Sequence, residues 1–295
     1  MLSLILIFTG TLSAADLYGK ADPDPYGKDG LTFDMGTAWD SKALEIGDPI
    51  TVGGVTVYPV IDEEAPKDFT SQTVSLSDAM MTGQLSVLEA SGAHVSAVQM
   101  VNTGKSPVYV MAGEVIRGGR QDRMITDDVI VPPHEQPLMV QVHCVEKDRW
   151  SEAAGTFSYG GRAEYALWSA LENGADQEST WSVVAALNAN RGASATGAYV
   201  SLGGPEWVTY RHQLRSALSD ADQVVGAVVA HNGTLVHAEM FGDPNLAAIS
   251  RAVALDGYAR DAVAMGRTTD SLPDEEVVEA FLFSHLEVSE TVADF

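Results

Sequence analysis

Cysteine is almost missing from this sequence: Cys144 is the only one in 295 residues. No intramolecular disulfide can form, so a stapled small fold is excluded and stability has to come from a packed core. Basic residues are scarce as well, 17 Lys and Arg against 41 Asp and Glu, for a formal net charge of −24. Such a field repels nucleic acids, so a DNA or RNA partner is not expected. Long apolar runs are lacking too. The apolar stretch "LSLILIF" near the N-terminus is too short for a stable membrane span. The phosphate-binding spacing GxxxxGK[ST] is absent, as are a dinucleotide fingerprint and any tandem repeat.

What is present is globular in composition, with 45% hydrophobic and 20% charged residues. "LSLILIF" has the length of a signal-peptide core, and small residues at Ser13 and Ala15 precede Asp16 as a cleavage site. The expectation is a signal segment over 1–15 and a periplasmic or secreted mature protein. The α-amine alone supplies charge ahead of the apolar run. A flexible lead-in rich in Pro and Gly is expected over 16–45, and a single α+β domain over 46–290.

Within that domain the pattern is β-rich over 46–147, helix-rich over 151–220, and a hairpin with helices over 223–285. "DPITVGGVTVYPVI" alternates around Gly53-Gly54, and Asn232-Gly233 carries the strongest short hairpin signal. Ser75 with Asp78 three residues on predicts a capped short helix ending near Gly83. Strands followed by helices and a late hairpin define an α+β class, with the hairpin returning to the first sheet.

One stretch stands out against the acidic background: "GEVIRGGRQDRM", Gly113 to Met124. Five of the chain's 17 Lys and Arg fall between Arg117 and Arg149. Strand parity puts Glu114 on one face with Val108, Val110 and Ala112, and Glu146 on one face with Val140, Val142 and Cys144. Two glutamates thus end two apolar stripes, which is costly unless each is paired or protonated. Gly118-Gly119 can expose backbone N–H groups as an anion nest, flanked by Arg117, Arg120, Gln121 and Arg123. Three functions fit. A small anion could be bound by Gly118, Gly119, Arg120, Gln121, Arg123 and Arg149, with Trp150 as a stacking wall or simply closing the core. Glu114 and Glu146 could be the acid and base of a hydrolase. Or the segment could be an ion-pair network that only braces the fold.

These motifs resemble the ADP-ribosylglycohydrolase-and-rhodanese-phosphatase-associated protein domain family. The likeness rests on Gly113-Glu114, on Gly118-Gly119-Arg120-Gln121-Asp122-Arg123, on Cys144, Glu146, Arg149 and Trp150, and on "VVGAVVAHNGTLVHAEMFGDPNL". It spans roughly residues 46–264. Asp122 stands where the family more often has Asn, and Asp148 where it often has Gly. The resemblance implies a shared fold, a shared polar site and a contextual link to ADP-ribose or a related nucleotide.

No cofactor or metal is expected. Neither His134 with His143 nor His231 with His237 has a zinc spacing, and both members of the second pair read as ordinary polar positions. Cys144 lies within an apolar stripe and reads as a buried thiol. The sequence leaves the oligomeric state open.

Overall fold

The structure, a computed structural model, describes residues 11–12, 33–34, 43–65, 73–90, 96–151, 155–192, 194–219, 223–241, 244–269 and 271–292. The expected signal segment and lead-in fall almost wholly outside these residues. Thr11–Leu12 (β1) and Phe33–Asp34 (β2) pair as a short antiparallel ladder. The chain is α+β and forms two compact units. A central unit takes residues 72–201, and a split unit takes 35–71 together with 202–295. The β-rich stretch 46–147 is therefore divided between them.

In the split unit, Leu44–Ile46 (β3), Ile50–Val52 (β4) and Val55–Asp62 (β5) pair antiparallel. The two residues between β4 and β5 are Gly53-Gly54; Gly53 has φ 54° and Gly54 donates its N–H to Met265 O. Val224–His231 (β15) and Thr234–Met240 (β16) form the predicted hairpin, with positive φ at both Asn232 and Gly233 as its turn type requires. It returns across the sequence to β5, placing Val57 opposite Val229. Helices cover both sheet faces. Gly204–Ser219 (α4) and Pro244–Ala264 (α5) pack Leu214, Leu218 and Ala254 against Val55, Val57 and Ala227. Glu275–Val292 (α6) packs Val278 and Leu282 against Tyr58, Val60 and Val228. Each such aliphatic side chain, fully buried, contributes about 1.5–3 kcal/mol.

The central unit holds Val74–Ser75 (β6), Leu85–Glu89 (β7), Ala97–Asn102 (β8), Val108–Val110 (β9), Glu114–Gly118 (β10), Arg123–Ile125 (β11), Val129–Val131 (β12), His134–Cys144 (β13) and Phe157–Arg162 (β14). One sheet runs β14-β10-β11-β13-β8-β7, and a smaller one runs β12-β9-β6. Leu76–Met81 (α1) begins as expected, the Ser75 hydroxyl accepting the Asp78 N–H at 3.1 Å. Its Leu76 and Ala79 join Val98, Met100, Val110, Ile116 and Val140 in one core cluster. Tyr165–Glu172 (α2) and Gln177–Asn188 (α3) bring Leu167, Trp168 and Val184 onto Val115, Met124 and Val145.

Two sequence expectations are corrected here. Val108 to Glu114 is not one strand. Gly113 takes φ 85° in a turn, so β9 ends in the smaller sheet and Glu114 opens β10 in the larger one. Parity cannot be carried across that turn. Phe157–Arg162, unassigned in sequence because Gly160-Gly161 interrupts it, is a strand. Gly161 at φ 83° sits where the β10–β14 register shifts, a bulge only glycine accommodates easily.

Candidate functional site

The segment Gly113–Met124 is a hairpin, β10 and β11 joined by Gly119 to Asp122. Positive φ at Gly118 (118°) and Gly119 (54°) turns the chain. A Cβ on Gly118 would collide with Thr156 O, and one on Gly119 with Phe157 and the Glu89 carboxylate, so neither position has room for a side chain.

The glycine turn does expose N–H groups, but the protein's own carboxylates fill them. Gly118 N donates to Asp122 Oδ1 at 2.9 Å, and Arg120 N donates to Glu89 Oε1 at 2.5 Å. Asp122 N in turn donates to Glu146 Oε2 at 3.0 Å. Arg149 closes the turn from the far side. It donates to Gly119 O at 2.9 Å, to Gly118 O at 3.1 Å, to Asp122 Oδ1 at 3.0 Å and, through Nε, to Glu146 Oε2 at 2.8 Å. Arg117 pairs with Asp122 Oδ2 at 3.3 Å and reaches Ser201 Oγ at 3.0 Å.

Arg123 is fully buried, bonded to Gln121 Oε1 at 3.1 Å and 3.7 Å from Glu89 Oε2. Gln121 donates to Glu146 O at 2.7 Å. Burial by itself would raise the Glu146 carboxyl. Hydrogen bonds from Arg149, Thr196 and the Asp122 amide outweigh it and hold Glu146 below the usual carboxylate range.

Glu114 belongs to a different environment. Its carboxyl, wholly buried, accepts the Met111 N–H at 2.7 Å. Burial pushes its pKa up to about 8 despite that bond and the nearby Tyr159 and Arg162, so it is a neutral acid at neutral pH. Glu146 meets the hairpin at Asp122, beyond the other end of β10, a strand whose five residues span roughly 13 Å. The fold does not bring the two glutamates together. Glu114, Gln121 and Glu146 are all buried.

Arg120 and Trp150 are placed differently from the rest. Trp150 is 48% exposed, so it does not close the core. The Arg120 guanidinium lies 5.2 Å from the Trp150 ring centre and forms no ion pair among the described residues.

Sequence reasoning missed Glu89, which sits on β7 about thirty residues earlier; β7 and β14 are opposite edges of the sheet, and contact between these two edges brings Glu89 to the turn. It also missed Glu164, buried and bonded to both arms of Arg191 at 2.5 and 2.6 Å and to Tyr199 OH at 3.2 Å. His231 and His237, read in sequence as ordinary polar positions, have side chains only 9% and 2% exposed. Cys144 is buried, and burial raises its thiol pKa. Among the described residues no group of His, Cys, Asp or Glu is arranged to hold a metal ion, and no helix is long and apolar enough to cross a membrane.

Fold and site together define an α+β protein built around a glycine hairpin whose amides are satisfied by its own acids. The family model described as "ARG and Rhodanese-Phosphatase-superfamily-associated Protein domain" matches residues 43–292, and the chain belongs to that family. No curated protein and no solved structure shows significant similarity to it.

Proposed function

We propose that the chain is an exported binding module for a small anionic ligand with a planar ring, such as a nucleotide, a sugar phosphate linked to a base, or an ADP-ribose-like compound. The observation that carries this is the Arg120–Trp150 pair. Every other arginine of the hairpin and its closing segment is paired with a carboxylate, whereas Arg120 lies against a half-exposed tryptophan. A guanidinium beside an aromatic face suits an anion attached to a ring: the ring stacks and the charge is met. Gly118, Gly119, Gln121, Arg123 and Arg149, candidate ligand contacts in sequence, then serve to hold that pair in place.

Hydrolysis by Glu114 and Glu146 finds less support, because an acid and base acting on one bond must be within reach of it together. A purely structural role has one specific observation in its favour: the nest amides of Gly118 and Arg120 already carry Asp122 and Glu89. That role accounts for the buried network but leaves the Arg120–Trp150 pair unexplained.

A thermal-shift screen of the mature protein tests the binding role, using ADP-ribose, nucleotides and sugar phosphates. At least one should stabilise the wild type and fail to stabilise Arg120→Ala. A ligand that stabilises Arg120→Ala and Trp150→Ala as well as the wild type would sink the site. Export is tested separately, and retention of the precursor in the cytoplasm of its host would overturn it.

A further inference from the structure

The two faces of the six-stranded sheet in the central unit are unequal. The inner face sends Val87, Val98, Met100, Leu138 and Val140 into the core. On the outer face α2 and α3 pack over Val115, Met124 and Val145, a cluster that takes nothing from β7 or β8. His143 is paired with Met124 and so shares that outer face with Gln141 and Met139, two and four residues back along β13. Met139 is paired with Gln99, and Gln99 with Leu88, so these three stand in one row across β13, β8 and β7. Leu88 is 46% and Met139 44% exposed; among the described residues no other large apolar side chain on a strand is as open. Ser86 and Gln141 beside them are exposed, and Gln99 and Val101 are half-buried. None of these six is charged, in a chain whose formal net charge is −24.

That composition selects the occupant. Two copies of so acidic a body repel wherever their carboxylates face each other, and an uncharged face is where they can meet. A strongly charged partner would find no counter-charge on it. The row also has the symmetry of a two-fold contact. Half a turn about an axis along β8, in the plane of contact, sets Leu88 over the partner's Met139 and Met139 over the partner's Leu88. Gln99 then meets the partner's Gln99, and an amide can both donate and accept. The face carries none of the residues assigned to ligand binding.

We propose that the outer face of β7, β8 and β13 is a homodimer interface, on which two copies pack sheet against sheet about that axis. The outer two of these strands lie roughly 10 Å apart. The contact is therefore at the small end of specific interfaces, and the dimer is weak and reversible, dissociating at micromolar concentrations. Salt tightens it, because screening removes the repulsion between the two bodies while the contact itself holds no ion pair.

Sedimentation velocity of the full-length protein from about 5 to about 500 μM, at low and at high salt, reads this. The average mass should rise towards the dimer with concentration, and at lower concentration in high salt. Leu88→Asp and Met139→Asp each bring a carboxylate into the contact and should weaken association roughly tenfold or more. Their thermal midpoints should stay at the wild-type value, since both positions are exposed. Leu88→Asp combined with Met139→Lys sets opposite charges against each other on both sides of the axis, so association should recover. A wild type that stays monomeric throughout would overturn the proposal. So would Leu88→Asp associating as the wild type does, or the double variant associating no better than Leu88→Asp alone. A fall in the thermal midpoint of Leu88→Asp with no change in mass would mean that a segment of the same chain covers the face, which also overturns it.

Discussion

The Asp122 carboxylate accepts the Gly118 amide at 2.9 Å, four residues back along the chain, and so occupies the concavity that the glycine turn makes. It meets Arg149 at 3.0 Å and Arg117 at 3.3 Å. The hairpin thus carries its own anion, and its shape is set before any ligand arrives. An external anion would have to be met by the groups left facing outward.

Asp122→Ala removes an acceptor from one amide and two guanidiniums. It should lower unfolding stability by about 2–4 kcal/mol, since the groups left behind are partly buried. Asp122→Asn keeps an oxygen for the Gly118 N–H but drops the charge, and should cost roughly half as much. Urea unfolding of the two variants measures both.

Arg149 ties two backbone carbonyls to two carboxylates, so Arg149→Ala should cost about 2–3 kcal/mol, its 29% side-chain exposure keeping the value moderate. Its partner gives a pH signature. Because Glu146 is held below its ordinary value, its contribution is present above pH 4.5 and lost as pH falls through the depressed folded value. Glu146→Gln should flatten the acid limb of the stability curve, read by denaturant midpoints across pH 3–6.

Glu114 has the opposite sign. Between 4.5 and about 8 the unfolded chain ionises while the folded chain keeps the proton, so stability falls as pH rises through that window. Each pH unit costs up to about 1.4 kcal/mol. Glu114→Gln can still accept the Met111 N–H and does not titrate. Relative to wild type, its stability should improve by about 3 kcal/mol from pH 5 to pH 7.5. A difference that stays constant with pH would show that the carboxyl is not held neutral.

Gly119→Ala sets a methyl against Phe157 and Glu89 at positive φ, and should destabilise by roughly 3 kcal/mol. Gly174 also has positive φ (76°) but faces open space, so Gly174→Ala should cost only about 1 kcal/mol. Thermal midpoints of the two variants separate close approach from backbone conformation.

Local chemistry made much of the fold legible. Gly53-Gly54 and Asn232-Gly233 mark two-residue hairpins, and Ser75 with Asp78 marks a helix start. The α+β class follows from that order of elements. The site was legible in composition but not in geometry. Gly113 bends the chain between Val110 and Glu114, so face parity misplaced the glutamate. Gly160-Gly161 hid a strand by lowering its β character. The contact of Glu89 with Arg120 depends on the approach of the sheet's two edge strands, β7 and β14, information that no local window holds.

The most direct test separates the Arg120–Trp150 pair from the buried network. ADP-ribose and AMP are titrated calorimetrically into wild type, Arg120→Ala, Trp150→Ala and Arg123→Met, with the unfolding stability of each protein measured alongside. Arg120→Ala and Trp150→Ala should keep unfolding stability within about 1 kcal/mol of wild type yet lose at least tenfold in affinity for whichever compound the wild type binds. Arg123→Met should lose stability instead. Undiminished affinity in both Arg120→Ala and Trp150→Ala, or no binding of either compound by the wild type, would contradict the account.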